Sequence, residues 1–419
     1  MHLSKSKNRV FPVIIVLLLV LISCGNGSKS AAQNTKAENE SSKTETTKLE
    51  SNIVVAANRT EAYLPMLKGK RVGIVANQTS VIFAENKATG THLVDSLKQL
   101  QVNIKCVFAP EHGFRGEADA GQLITDGVDP KTQLPVISLY GNNKKPTPKQ
   151  LEGIELMIFD IQDVGARFYT YISTLHYIME ACAEAKIPLL ILDRPNPNGY
   201  YVDGPILEPQ HKSFVGMHPI PVVHGMTIAE YAQMINGEKW LKDGLQCELS
   251  IIPMKNYNHD KRYSLPIKPS PNLPNDQAIN LYPSLCFFEG SNVSVGRGTT
   301  KQFQIFGSPY LDKSKYEFSF FPSPKPGASN PKHDGKLCYG RDLSTHERLE
   351  QLDLSFLITA YKNSIDKSLF FTDFFTKLAG TKTLEAQIKA GKTEQEIKAS
   401  WEEGLAAFEK TRETYLIYD

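Results

Sequence analysis

The chain reads as an α/β protein: a Rossmann-like lobe built on a parallel sheet, followed by a smaller α/β lobe. Three observations predict this. Apolar runs recur at RVGIVAN (71–77), NIKCVFA (103–109), LPVISLY (134–140), ELMIFDI (155–161) and IPLLILD (187–193). They are continuous in polarity rather than alternating, as strands buried on both faces are. Helical patterns fall between them, and polar loops rich in glycine or proline follow their ends, which is where open α/β folds keep ligand sites.

The chain opens with Lys5, Lys7 and Arg9 ahead of a hydrophobic run over 10–22, the shape of a secretory signal and short for a membrane span. The run ends in Leu21-Ile22-Ser23-Cys24, which resembles the lipobox of bacterial lipoproteins and so implies cleavage before Cys24 and its lipidation. Residues 1–23 are therefore expected to be a lipoprotein signal peptide. Residues 24–52, mostly Ser, Thr, Asn, Lys and Glu, read as a disordered tether from an exported, membrane-anchored lipoprotein.

The body begins near Ile53, with the first lobe expected over 53–235 and the second over 236–419. Thr91 is placed to cap HLVDSLKQL, with Leu93, Leu97 and Leu100 on one face. Thr147-Pro148 opens a short helix. Residues 169–186 put Ile172, Leu175, Ile178, Met179 and Cys182 at helical spacing, and Thr227 starts a further helix. After it, 247–254 reads as a strand and PSPNLPN (269–275) as a stiff extended segment. Residues 291–307 read as two short strands around a glycine turn; 349–362 and 384–411 read as helices.

Lys plus Arg is 47 against 45 for Asp plus Glu, so no overall field draws nucleic acid or a membrane surface. Cys106, Cys182, Cys247, Cys286 and Cys338 lack CxxC spacing and sit largely in apolar runs, as small hydrophobes do. VGRGTTK has no third glycine and no following helix, which excludes a dinucleotide fingerprint or P-loop. No G-x-S-x-G elbow occurs. His112, His176, His218 and His224 lack HExxH-type spacing, so neither metal nor cofactor is expected.

The chemistry concentrates in FAPEHGFRGEADAG (108–121), where Pro110 stops a strand and Glu111, His112, Arg115, Glu117 and Asp119 follow among glycines. Two more strands end in polar clusters: Asp160, Gln162, Asp163 and Arg167, then Asp193, Arg194, Asn196 and Asn198. Strands of a parallel sheet share one carboxyl edge, so the three loops are expected to meet in one crevice. Glu111 with Asp160 or Asp163 would make the paired carboxylates of a glycosidase. Arg167, Arg194 and Arg297 are candidate clamps for an anionic group. Phe168, Tyr169, Tyr171, Tyr200 and Tyr201 offer stacking surfaces, although aromatics opening a helix are more often core.

These same stretches carry a resemblance. PEHGFRGEADAG, FDIQDVGARFYTYISTLHYIMEAC, LDRPNPNGYYVDGPILE, FVGMHPIPVVHGMTIAEYA, PSPNLPN and GSNVSVGRGTTKQFQIFGSP resemble the NamZ-type exo-β-N-acetylmuramidases, a family first described as a domain of unknown function. The resemblance implies a cleft between two lobes and release of N-acetylmuramic acid from the non-reducing end of peptidoglycan fragments. It also implies site residues Glu111, His112, Asp160, Gln162, Asp163, Arg167, Asp193, Arg194 and Asn196; Tyr169, Asn272 and Arg297 are further candidate substrate contacts. Glu111 is the expected proton donor, with Asp160 or Asp163 as base or nucleophile and Gln162 and His112 orienting. The alternative is that Glu111 only caps its turn and one of the aspartates is the acid. A second reading of the whole chain is a non-hydrolysing lipoprotein that captures muropeptides.

Overall fold

A seven-stranded sheet organises the computed structural model, which describes residues 52–84, 89–116 and 126–419. The signal peptide, Cys24, nearly all of the tether, Glu117 and Asp119 lie outside these residues. The strand order is Gly127–Val128, Pro135–Ser138, Ile104–Ala109, Val72–Ala76, Leu156–Asp160, Leu189–Leu192 and Leu249–Ile252. All neighbours pair in parallel except the first two. Setting aside the short antiparallel edge, this is the doubly wound order of a Rossmann sheet, and it reverses between Val72–Ala76 and Leu156–Asp160.

The continuous apolar runs are explained by what covers the sheet. Ile74, Val107, Ile158 and Leu190 face one core with Tyr63, Leu93 and Leu97, while Val75, Phe108, Phe159 and Ile191 face another with Leu175 and Met179. Successive side chains point to opposite faces, and both faces are buried. The Tyr171–Ala185 helix supplies much of the second cover and ends where Lys186 turns left-handed. Thr147 and Thr227 each close a capping box, with Gln150 and Glu230.

Four expectations change. Thr91 does not cap its helix: Gly90–His92 pairs antiparallel with Val81–Phe83, so the helix starts at Leu93 under His92, and Leu100 is exposed at its end. Residues 291–307 hold one strand, Ile305–Ser308, in a three-stranded antiparallel sheet; the stretch before it makes only a bridge from Ser294 to Gly307. The 384–411 pattern breaks into Thr383–Lys389, Glu394–Ala399 and Glu402–Glu413, because Gly391 turns left-handed and Thr393 begins a new capped helix. The 349–362 helix is shortened to Ser355–Lys362.

The sheet also runs past residue 235, since Leu249–Ile252 joins it beside Leu189–Leu192. The core is continuous as well: Phe159 and Met179 belong to the same cluster as Phe356, Leu378 and Phe408. Near the last residues, Tyr418 donates its hydroxyl to Asp193 at 2.7 Å and the Ile417 amide donates to Glu230 at 2.9 Å. The described residues accordingly belong to one compact unit. Cys106, Cys182, Cys247, Cys286 and Cys338 are all buried free thiols, packed as small hydrophobes.

Candidate active site

A cleft of about 460 Å³ opens at the carboxyl edge of the sheet. Glu111 and His112 enter it from the end of Ile104–Ala109, Tyr140 from beyond Pro135–Ser138, and Phe168 to Tyr171 from the loop after Leu156–Asp160. Ser270 and Asn272, in the proline-rich segment, form another wall. Glu289, Arg297 and Phe303 close it from the later part of the chain.

The PEHGF loop is shaped by two consecutive left-handed residues, His112 at φ 71° and Gly113 at φ 78°. That conformation suits glycine and is uncommon for histidine, and backbone of this kind persists only where its surroundings hold it. The Gly113 amide donates to the Pro110 carbonyl at 3.0 Å. His112 Nε2 lies 3.2 Å from Ser270 Oγ, which also accepts the Asn272 amide at 3.2 Å. Further along, Arg115 ties the loop down through Asp95 at 2.9 Å and Asp129 at 2.8 Å.

Glu111 is held by hydroxyls. Thr170 donates to Oε2 at 3.0 Å, and the Tyr140 phenol also bonds the carboxylate. Burial first, then the Glu111 charge, pushes the Tyr140 phenol well above its ordinary range, so it stays a donor. Behind this group Tyr169 donates to the Pro269 carbonyl at 2.8 Å and packs edge-on against Tyr171, with ring centroids 4.8 Å apart. Tyr169 thus forms part of the cleft wall while most of its surface is core. Tyr200 and Tyr201 are not among the cleft residues; the Tyr200 hydroxyl donates to the Leu349 carbonyl.

Of the residues picked out in the sequence, Glu111, His112, Phe168, Tyr169, Tyr171, Asn272 and Arg297 come together in the cleft. Asp160, Gln162, Asp163, Arg167, Arg194 and Asn196 are buried beside it or below it. Asp160 and Arg194 use each other up: the guanidinium meets the carboxylate twice, at 2.6 and 2.9 Å, and both side chains are almost fully enclosed. Asp160 is the last residue of its strand and wholly inaccessible, so sharing the carboxyl edge does not bring it to the crevice. Gln162 donates to the Asp163 and Pro195 carbonyls, and Asn196 donates to the Met226 carbonyl. Arg167 binds four backbone carbonyls and faces no cleft.

Asp163 is buried with Oδ2 accepting the Gly165 amide at 2.7 Å, while Oδ1 has no hydrogen-bond partner among the described residues. Burial pushes its pKa up to about 7 against the pull of the Gly165 and Val164 amides. Asp160 and Asp163 are thus enclosed, and the other carboxylate that lines the cleft with Glu111 is Glu289. No motif singled out Glu289 in CFFEG. Tyr140 and Thr170 were also missed, although one ends a predicted strand and the other stands inside the FYTYIS run.

The described residues contain no group of three or more His, Cys, Asp or Glu side chains able to hold a metal ion. The cleft combines two carboxyl groups, hydroxyl donors, aromatic walls and, among the described residues, one guanidinium. On a Rossmann-order sheet completed by a second α/β part, that is the equipment of a two-domain α/β hydrolase acting on a polar, ring-shaped substrate.

The chain belongs to the NamZ family. Residues 72–277 match the N-terminal domain of exo-beta-N-acetylmuramidase NamZ, and residues 280–418 its C-terminal domain. Peptidoglycan beta-N-acetylmuramidase NamZ of Bacillus subtilis (strain 168) is 38% identical over 375 residues, spanning 85% of this chain and 89% of that protein. Two solved structures of DUF1343 family proteins from Bacteroides fragilis NCTC 9343 are also similar. One is 46% identical with a TM-score of 0.80, the other 27% identical with a TM-score of 0.71; each match covers 88% of this chain and 99% of the other.

Proposed function

We propose that this protein is an exo-acting glycoside hydrolase that releases N-acetylmuramic acid from the non-reducing end of peptidoglycan fragments. The observation that carries the reading is the seating of Glu111 in the cleft, with Thr170 and Tyr140 donating to it, in a chain of this family. A glycosidic bond breaks when its leaving oxygen is protonated. Glu111 is the proton donor: the two hydroxyls orient it and then stabilise the carboxylate left once the proton has gone. His112, fixed by Ser270, and the aromatic wall of Tyr169 position the sugar. Glu289, the other carboxylate lining the cleft, is paired with Arg297 at 3.0 Å and holds that guanidinium instead of acting on the sugar.

Export follows from the same substrate. Lys5, Lys7 and Arg9, the apolar run and Leu21-Ile22-Ser23-Cys24 support an anchored lipoprotein facing the cell wall. The activity is tested by incubating purified protein with a chromogenic β-N-acetylmuramide and the matching β-N-acetylglucosaminide. Release from the first is expected. Release from neither, or only from the second, overturns the proposal, and intact disaccharide retained in calorimetry would make the protein a binder instead.

A further inference from the structure

Three arginines stood as candidates for an anionic group, and their surroundings separate them. Arg194 is spent on Asp160 and Arg167 on carbonyls, whereas Arg297 lines the cleft. It is the one guanidinium or ammonium doing so among the described residues. Its Nε donates to Glu289 Oε2 at 3.0 Å, its guanidinium carbon sits 5.2 Å from the centroid of the Phe303 ring, and its Nη1 is enclosed without a hydrogen-bond partner among the described residues.

The backbone is built to present it. Gly296 and Gly298 flank it at φ 79° and 78°. A Cβ on Gly296 would come within 2.7 Å of the Lys301 carbonyl, and one on Gly298 within 2.6 Å of the Ser323 carbonyl. The GRG of the sequence is thus a double left-handed turn around one arginine. Below it, the Lys332 ammonium is held by the Phe288, Ser291 and Val293 carbonyls at 3.0, 2.5 and 3.1 Å. Lys332 is not among the cleft residues, so Arg297 alone presents a cation to the cleft among the described residues.

We infer that Arg297 is the specificity-determining residue of the cleft, reading the carboxylate that distinguishes N-acetylmuramic acid from N-acetylglucosamine. This rests on the activity proposed above. The two sugars differ by a lactyl ether at O3 whose acid is ionised at neutral pH, and a guanidinium with its Nε held by Glu289 and 25% of its side chain still exposed at the cleft suits such a group. Glu289 then acts as its holder, keeping the fork aimed while the aromatic ring limits its rotamers.

The test compares wild type, Arg297→Ala and Arg297→Gln, which keeps a donor for Glu289, on nitrophenyl β-N-acetylmuramide and on its lactyl methylamide, a neutral near-isostere. Wild type is expected to favour the free acid, and both variants to lose about 10- to 150-fold in kcat/KM on the acid, the worth of one charge-assisted contact. The amide should change less than about threefold. Variants that keep the wild-type preference, or that lose acid and amide equally, overturn the inference. If wild type cleaves neither glycoside, the activity proposal fails by itself. Calorimetry with the free acid and its methylamide then decides Arg297, with the same acid-selective loss of affinity expected in both variants and equal binding of the two ligands by wild type refuting it.

Discussion

Replacing Arg167 by methionine is expected to destabilise the protein without changing which sugar it selects. The guanidinium is fully buried and spans three segments: Nη1 donates to the Pro205 and Ile220 carbonyls at 2.7 Å each, and Nη2 to Leu378 at 2.9 Å and Ala379 at 2.7 Å. No carboxylate is among these partners. Leu378 and Ala379 end the Asp373–Ala379 helix, so the counter-charge is the negative end of its backbone dipole. Gly380 follows at φ 74°, and a Cβ there would lie 2.7 Å from Nη2. Burial lowers the Arg167 pKa to about 9, which leaves it charged at neutral pH. Methionine would fill the space and leave the enclosed Pro205, Leu378 and Ala379 carbonyls without that donor, while the Ile220 carbonyl keeps the Leu207 amide at 3.1 Å. Removing one side of a buried charged contact costs about 3–5 kcal/mol, and relief from burying the charge keeps the sum below four separate bonds. With about 2.1 cal/mol/K per residue over roughly 370 residues, the unfolding entropy is about 0.8 kcal/mol/K, so Tm should fall by about 4–6 °C in calorimetry. Arg167→Lys should recover part of it, because three donors on one nitrogen cannot reach all four carbonyls. An unchanged Tm together with lost discrimination between muramyl and glucosaminyl substrates would refute this reasoning and return Arg167 to the substrate.

Glu111→Gln keeps shape and hydrogen bonding but cannot give a proton. Its kcat should drop about 10²–10⁴-fold on a disaccharide and much less on an activated nitrophenyl glycoside; an equal small loss on both with a lowered Tm would make Glu111 structural. Asp163→Asn tests the buried carboxyl. Its folded pKa near 7 lies above the ordinary value of about 3.9, so its neutral form contributes stability that is present below pH ~4 and lost as pH rises through 7. The Tm of the asparagine variant should therefore gain on wild type between pH 5 and 8, and a constant difference would contradict the assignment. His92 and the buried His176, lowered to about 4, act in the opposite direction at acid pH and largely cancel in that difference. His224, lowered to about 3, lies 3.8 Å from Asp163 and adds its own change only near its low pKa, below the pH 5–8 window. Finally, Cys24→Ser should move the protein from the membrane fraction to the soluble one with catalytic activity unchanged; unaltered membrane association would count against lipidation.

What the sequence determined by itself was local. Continuous apolar runs read as strands covered on both faces, and five of them became neighbours in the parallel sheet, although Pro135–Ser138 next to its edge is covered only in part. Thr147 and Thr227 announced helix starts through partners three residues away. Pro110 and the glycines after it marked where a strand would break into a polar loop, which placed Glu111 and His112 in the cleft. The tertiary structure decided everything that depended on a partner far along the chain. Leu249–Ile252 looked like part of a second lobe because nothing local says which strand it will pair with. Arg167, Arg194 and Arg297 are alike as residues, and their roles separate only through contacts: carbonyls as many as 212 positions distant, a carboxylate 34 away, and an opening onto solvent. Asp160 and Glu111 both stand at strand ends, yet one is enclosed by its ion pair and the other meets the cleft, because a shared sheet edge sets where a side chain begins and packing sets where it points.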